Sequence, residues 1–181
     1  MTSGKEKYTL KRKDHWNKIS IKRDTWKGEG IYYNNRLKYI YKFIIPENKR
    51  VLELGCSKGD LLASLAPSYG VGIDFSEEMI KRAKEKYPNL NFLLMDVHEL
   101  DLKEKFDYII IPDLVNDLWD VQVVFEKVYK HCNSNTKIIL NTYSRVWSGL
   151  LNITGKINLS TPLLEQNWFT VEDINNLLEI T

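Results

Sequence analysis

Residues 51–60 read VLELGCSKGD. Strand-forming residues run into a glycine and a second glycine follows four positions on, so a buried strand ends in a turn that leaves its backbone open to a ligand. Three chemistries fit GCSKG: a G-x-S-x-G nucleophile elbow on Ser57, a dinucleotide or phosphate loop, and a loop cradling another cofactor. An elbow serine needs an acidic partner and then a histidine downstream, with an oxyanion loop upstream. The downstream histidines are His98 and His131, and GCSKG follows the first strand, which leaves no upstream strand-to-helix loop. The nicotinamide fingerprint asks for glycine at relative positions one, three and six, and here the third is Ser57 and the sixth Asp60. A Walker loop needs lysine after its second glycine, but Lys58 precedes Gly59.

Outward from this loop, strand and helix signals alternate. Before it, IYYNNRLKYIYKFII (31–45) spaces Leu37, Ile40, Tyr41 and Ile44 as an amphipathic helix that Pro46 ends. After it, Asp60 to Ala66 reads as a helix and GVGID (70–74) as a second strand. Ser76 caps a helix that begins with Glu77 and Glu78 and closes at Pro88. NFLLM (91–95), FDYIII (106–111) and KIILNT (137–142) read as three further strands, with a helix from Asp117 to His131 between the last two. Continuous apolar strands alternating with helices predict an α/β fold, a Rossmann-like doubly wound parallel sheet covered on both faces. Residues 144–170 read as a long connection, and Val171 to Ile180 as a final helix.

The chain has 181 residues, enough for one domain with a sizeable core. Its charge is uneven: residues 1–50 carry fourteen Lys/Arg against five Asp/Glu, and the remainder twelve against nineteen. Residues 1–29 are expected to be a basic, partly disordered leader before a domain spanning 30–181. A basic leader can contact nucleic acid or an anionic membrane, but no recognised nucleic-acid module accompanies it. There is no signal peptide, no run long enough to span a bilayer and no Cys-x-x-Cys pair, so a cytoplasmic location is expected. His15, His98 and His131 lack metal-ligand spacing, and no metal site is expected.

Two carboxylates stand at strand tips. Asp74 lies nineteen residues after Gly55, where it can accept hydrogen bonds from both hydroxyls of a ribose. Asp96 ends the third strand, where an adenine amino group can donate to it.

VLELGCSKG, VGIDFSEEMI, FLLMDV and FDYIIIPDLVNDLWD, in this order, resemble the class I S-adenosylmethionine-dependent methyltransferases over roughly residues 30–145. The resemblance implies a sheet in the order 3-2-1-4-5 and S-adenosyl-L-methionine as cofactor, with S-adenosyl-L-homocysteine as product. It implies that Gly55, Cys56, Ser57 and Gly59 wrap the methionine portion, with Glu53 supporting the loop or reaching the cofactor amino group through water. Asp74 would hold the ribose, Phe75 and Met79 would line the adenine pocket, and Asp96 and Val97 would read the adenine edge. Ile111, Pro112 and Asp113 would approach the sulfonium. Ser57 replaces the commoner middle glycine. The stretch DLVNDLWDVQ and the tail QNWFTVEDINNLLE are similar to a bacterial group sometimes found beside glycosyltransferase modules, a resemblance that names no substrate; a small-molecule or glycan acceptor is the expectation.

Methyl transfer needs alignment and exclusion of water more than a catalytic triad. Asp113 is the candidate base for a hydroxyl acceptor, and Tyr33 and Tyr143 are candidates on the acceptor side. Asn116 and Asp117 read as the cap and first turn of a helix. Cys56 reads as a small buried residue whose backbone matters. The resembled fold ends in an antiparallel strand pair that has no counterpart before Thr181, so truncation, or pairing of an open sheet edge in a homodimer, is expected. A catalytically silent cofactor-binding module is the rival reading.

Overall fold

The computed structural model describes residues 3–22, 30–142, 164 and 167–181. Tyr143, expected on the acceptor side, lies outside them.

Helix α1 spans Gly4–Lys22 and α2 spans Gly30–Ile44. Strand β1 (Arg50–Leu54) leads to α3 (Asp60–Ser64), β2 (Tyr69–Asp74), α4 (Glu77–Lys86) and β3 (Asn91–Leu94). Then follow β4 (Tyr108–Pro112), α5 (Val121–Tyr129), β5 (Lys137–Asn141) and α6 (Val171–Glu179). The strands form one parallel sheet in the order β3-β2-β1-β4-β5. This is the order that the resemblance implies.

Alternation along each strand divides the core in two. Leu52, Leu54, Ile109 and Ile111 face α5 and α6, where Val124, Phe125, Val128 and Ile174 cover them. Val51, Tyr108 and Ile110 face Tyr41 and Ile45 of the α2 region, Leu61 and Leu62 of α3, and Ile80 and Ala83 of α4. The three central strands are buried almost throughout, whereas β3 and β5, the edges of the sheet among the described residues, are only partly covered.

Three elements differ from the sequence expectation. Where a partly disordered leader is expected, residues 4–22 form α1, which packs beside α4 and the ends of β3 and β4. The helix expected from Asp117 starts at Val121, with Asp120 as its cap accepting the Val123 N–H. Val115–Asp117 is a separate 3-10 turn because both side chains expected to cap a helix are occupied: the Asn116 amide donates to the Asn167 carbonyl, and Asp117 binds α1. The helix after β1 stops at Ser64, and Ala66 turns left-handed (φ 46°) before Pro67, which disfavours helical geometry in the residue preceding it.

Candidate functional site

The C-terminal ends of β1, β2, β3 and β4 meet at one rim. In an open parallel sheet this is where ligands bind, outside the carboxyl ends of strands on either side of the point where strand order reverses. Here the reversal lies between β1 and β4.

The loop after β1 is shaped by three left-handed residues, Gly55 (φ 74°), Ser57 (φ 50°) and Gly59 (φ 76°). Gly55 and Cys56 both donate backbone N–H to the Ile73 carbonyl, which ties the loop to β2. A Cβ on Gly59 would lie 2.5 Å from the Phe92 Cζ, inside the core. Gly59→Ala therefore combines left-handed strain with a clash against a buried ring, and is expected to cost about 2–4 kcal/mol. A shift in the urea midpoint at unchanged slope would verify this.

Asp74 organises the loop from below. Its Oδ2 accepts the Ser57 N–H at 2.9 Å and its Oδ1 accepts the Ser76 N–H at 2.8 Å. Burial pushes its carboxyl up to about 6, against the lowering effect of the N–H groups of Ser76, Ser57 and Phe75. Ser57 also donates its hydroxyl to the Met79 sulfur at 3.3 Å, so the loop and α4 are joined at two points. Glu53, only 2% exposed, accepts the Leu62 N–H at 3.0 Å and so supports the start of α3. Burial raises the Glu53 carboxyl well above the usual carboxylate range. The Cys56 thiol is likewise raised, by burial and then by Asp74 and Glu53, which disfavours a reactive thiolate.

Asp96 follows β3 and caps the turn Val97–Glu99. Its Oδ1 accepts the His98 backbone N–H at 3.0 Å and faces the His98 Nδ1 at 2.6 Å. Burial raises the Asp96 carboxyl, but the His98 hydrogen bonds outweigh this and hold it below its ordinary value. His98 Nε2 accepts the Asp120 N–H at 3.2 Å, so this histidine links β3's end to the start of α5. Val97 is buried; Phe75 and Pro112 are half-buried.

The end of β4 carries a hydrogen-bonded cluster. Asp113 is left-handed (φ 53°), and its carboxylate accepts the Tyr33 hydroxyl at 2.7 and 2.9 Å. Asn141, at the tip of β5, donates from Nδ2 to Asp113 Oδ1, while its Oδ1 accepts the Tyr41 hydroxyl at 2.8 Å. Burial, then Asp113 and Glu53, raise the Tyr41 hydroxyl far above its ordinary value, so it stays a donor. Leu114, the residue after Asp113, packs within 3.2 Å of where a Gly55 Cβ would stand, so this cluster lies beside the β1 loop.

Sequence reasoning did not select Asn141, Tyr41 or the α1 residues Arg12 and Asn17. Asn141 had a usable signal, because it ends a parallel strand as Asp74 does. Arg12 and Asn17 had none, since nothing in their spacing predicts that α1 returns to this rim. Trp16 donates its indole N–H to Asp117 Oδ2 at 2.9 Å, and Ser76 donates its hydroxyl to Asn17 Oδ1 at 2.5 Å. Among the described residues, no cluster of three His, Cys, Asp or Glu could hold a metal, and no helix is long and apolar enough to cross a membrane.

The left-handed loop with side-chain-free glycines, and the carboxylate beneath it, fit a nucleoside cofactor with a bulky chain. A carboxylate offers about four acceptor positions, of which the two backbone N–H groups use two, so Asp74 can still accept from two ribose hydroxyls.

Residues 45–179 match the family described as a methyltransferase domain. Malonyl-[acyl-carrier protein] O-methyltransferase of Bacillus cytotoxicus is 34% identical over 100 residues, covering 52% of this chain and 35% of the relative. Ubiquinone biosynthesis O-methyltransferase of Coxiella burnetii is 29% identical over 123 residues, covering 64% of this chain and 53% of the relative. A solved S-adenosylmethionine-dependent methyltransferase from Thermotoga maritima shares the fold, with a TM-score of 0.72 at 15% identity over 92% of this chain and 78% of its own. The chain spans about half the length of the curated relatives it matches, or less. With the family matched from the end of α2 through α6, and the sheet in the order its fold requires, the chain belongs to the methyltransferase-domain family, of the class I S-adenosylmethionine-dependent type.

Proposed function

We propose that this domain binds S-adenosyl-L-methionine at the β1 loop and transfers its methyl group to a hydroxyl or amine of a small-molecule or glycan acceptor. The observation that carries the reading is Asp74: one buried carboxylate ties the β1 loop to the start of α4 and keeps acceptor positions for a ribose. When bound, the cofactor supplies an activated methyl carbon and a thioether leaving group.

In this reading Gly55, Cys56, Ser57 and Gly59 hold the methionine portion through their backbone, with Glu53 supporting the turn. Phe75, Met79, Asp96 and Val97 bound the adenine. Pro112 and Asp113 lie on the acceptor side, where Asp113 takes a proton from the acceptor and Tyr33 and Asn141 orient its carboxylate. Asp113→Asn is expected to lower kcat about a hundredfold, with S-adenosylhomocysteine affinity unchanged. Turnover of a labelled cofactor with an acceptor panel, beside calorimetric binding, separates the two effects. Cofactor binding without transfer to any acceptor would favour the silent-module reading.

Ribose recognition needs Asp74 ionised, and its carboxyl in the free protein titrates at about 6. Glu53 and Cys56 are the neighbouring titratable groups that Asp74 acts on, and burial raises both above their ordinary values. Affinity for S-adenosylhomocysteine should thus be about tenfold weaker at pH 5 than at pH 7, with little change above pH 7. A flat profile across that range would sink the assignment of Asp74 to the ribose.

A cytoplasmic location belongs to the same reading. Among the described residues β5 pairs on one side only, and a second copy joined along that edge is the proposed homodimer. A monomeric mass in sedimentation at micromolar concentration would count against it.

A further inference from the structure

Helix α2 is apolar on two opposite sides. One side, with Tyr41 and Leu37, packs on the sheet. A hundred-degree turn per residue places Tyr32, Arg36, Tyr39 and Phe43 in a single stripe on the opposite side. Tyr32 is 76% exposed, Tyr39 64% and Phe43 84%, with Ile40 at 40% beside them. A surface helix ordinarily carries one apolar stripe, facing the core, so a second one on the opposite side calls for a partner. Contiguous exposed apolar surface of this kind marks an interaction site.

Charge identifies what covers it. Residues 30–44 contain Arg36, Lys38 and Lys42 and no Asp or Glu, within the first fifty residues that hold fourteen Lys/Arg against five Asp/Glu. A two-fold contact would set this helix against its own copy, cation facing cation, which opposes self-association through this face. Phe43 and Ile40 are aliphatic or aromatic without a polar tip, whereas a nucleic-acid surface would stack bases and pair phosphates. Aromatic and aliphatic side chains flanked by lysine and arginine match the boundary between headgroups and acyl chains of an anionic bilayer.

We propose that the outer face of α2 docks the protein on an anionic lipid surface, with Tyr39, Phe43 and Ile40 entering the interface and Arg36 and Lys42 at the headgroups. The docking stands independently of the methyl-transfer reading. It would lay the Tyr32 end of the helix, next to the Tyr33–Asp113 contact, against the bilayer.

The test is co-sedimentation of the full chain with vesicles of equal parts phosphatidylcholine and phosphatidylglycerol, against phosphatidylcholine alone. Binding to the anionic vesicles is expected, weakening steeply as salt is raised. Phe43→Ser with Tyr39→Ser should reduce partitioning about tenfold or more, since the exposed rings contribute through burial in the membrane. Arg36→Glu with Lys42→Glu should abolish the preference for anionic lipid. These positions are solvent-facing, so unaltered circular dichroism and an unaltered urea-unfolding midpoint establish that each variant is folded. Equal binding to both vesicle types, no binding to either, or variants that bind like the parent would overturn the proposal. A concentration-dependent dimer that Phe43→Ser dissociates, or RNA binding abolished by the same charge reversals without vesicle binding, would overturn it in favour of those partners.

Discussion

Asp117→Ala should destabilise the protein by about 3–5 kcal/mol, the usual consequence of removing one member of a buried ion pair. The Asp117 carboxylate accepts Arg12 Nε at 2.9 Å and the Trp16 indole N–H at 2.9 Å, and the two charged side chains are only 5% and 8% exposed. The Asp117 carbonyl adds hydrogen bonds from Arg12 Nε at 3.1 Å and from the Tyr8 hydroxyl at 3.3 Å. The substitution leaves a buried guanidinium without this carboxylate. It also frees α1, whose remaining polar ties to the rim include Ser76 to Asn17 and the exposed Lys5–Glu99 pair. Urea unfolding gives the magnitude, and hydrogen exchange gives the location: amides of Gly4–Lys22 should lose protection first. Lys18→Ala removes the exposed α1 pair with Asp14, so it should produce no measurable change. Native protection of α1 in Asp117→Ala would show that the pair does not hold the helix.

Asp74→Ala should abolish S-adenosylhomocysteine binding within the range of calorimetry, a loss of at least about a hundredfold from two charge-assisted hydrogen bonds. The fold should tolerate the change better than the ligand does. The raised carboxyl, at about 6, means that the native state keeps a proton which the unfolded chain has already released. Stability contributed by Asp74 is therefore fully present below the ordinary carboxylate value near 4, declines as pH rises towards 6, and is flat above. Asp74→Ala lacks that decline, which offsets part of the cost of unhooking the Ser57 and Ser76 N–H groups. Thermal melts of parent and variant from pH 4 to pH 7 should converge as pH rises. Persisting micromolar affinity in the variant would move the cofactor away from this loop.

The strands were legible because parallel strands buried on both faces are short runs of Val, Ile and Leu, and because each of the first four runs leads into a Gly or an Asp. VLELG, GVGID and FDYIIIPD carry that pattern without ambiguity. Helix ends were less legible where side chains serve distant partners. Asn116 and Asp117 have the chemistry of capping residues, yet Asn167 and Arg12, far away in sequence, claim them. The basic leader misled for the same reason: composition registers Lys and Arg as solvated, whereas Arg12 is 4% exposed because Asp117, in the turn that follows β4, receives it.

The sequence by itself determined the alternation of strands and helices, the left-handed loop after β1 and the carboxylates at the strand tips, since each depends on local periodicity, turn chemistry and spacing. Only the tertiary structure decided that α1 folds back over the rim, that Asn141 and Tyr41 join Asp113 and Tyr33, and that among the described residues none covers the outer face of α2. The contacts of Arg12 with Asp117, Tyr33 with Asp113 and Tyr41 with Asn141 join residues 80 to 105 positions apart. Their formation depends on where the sheet delivers its ends, which no local pattern encodes.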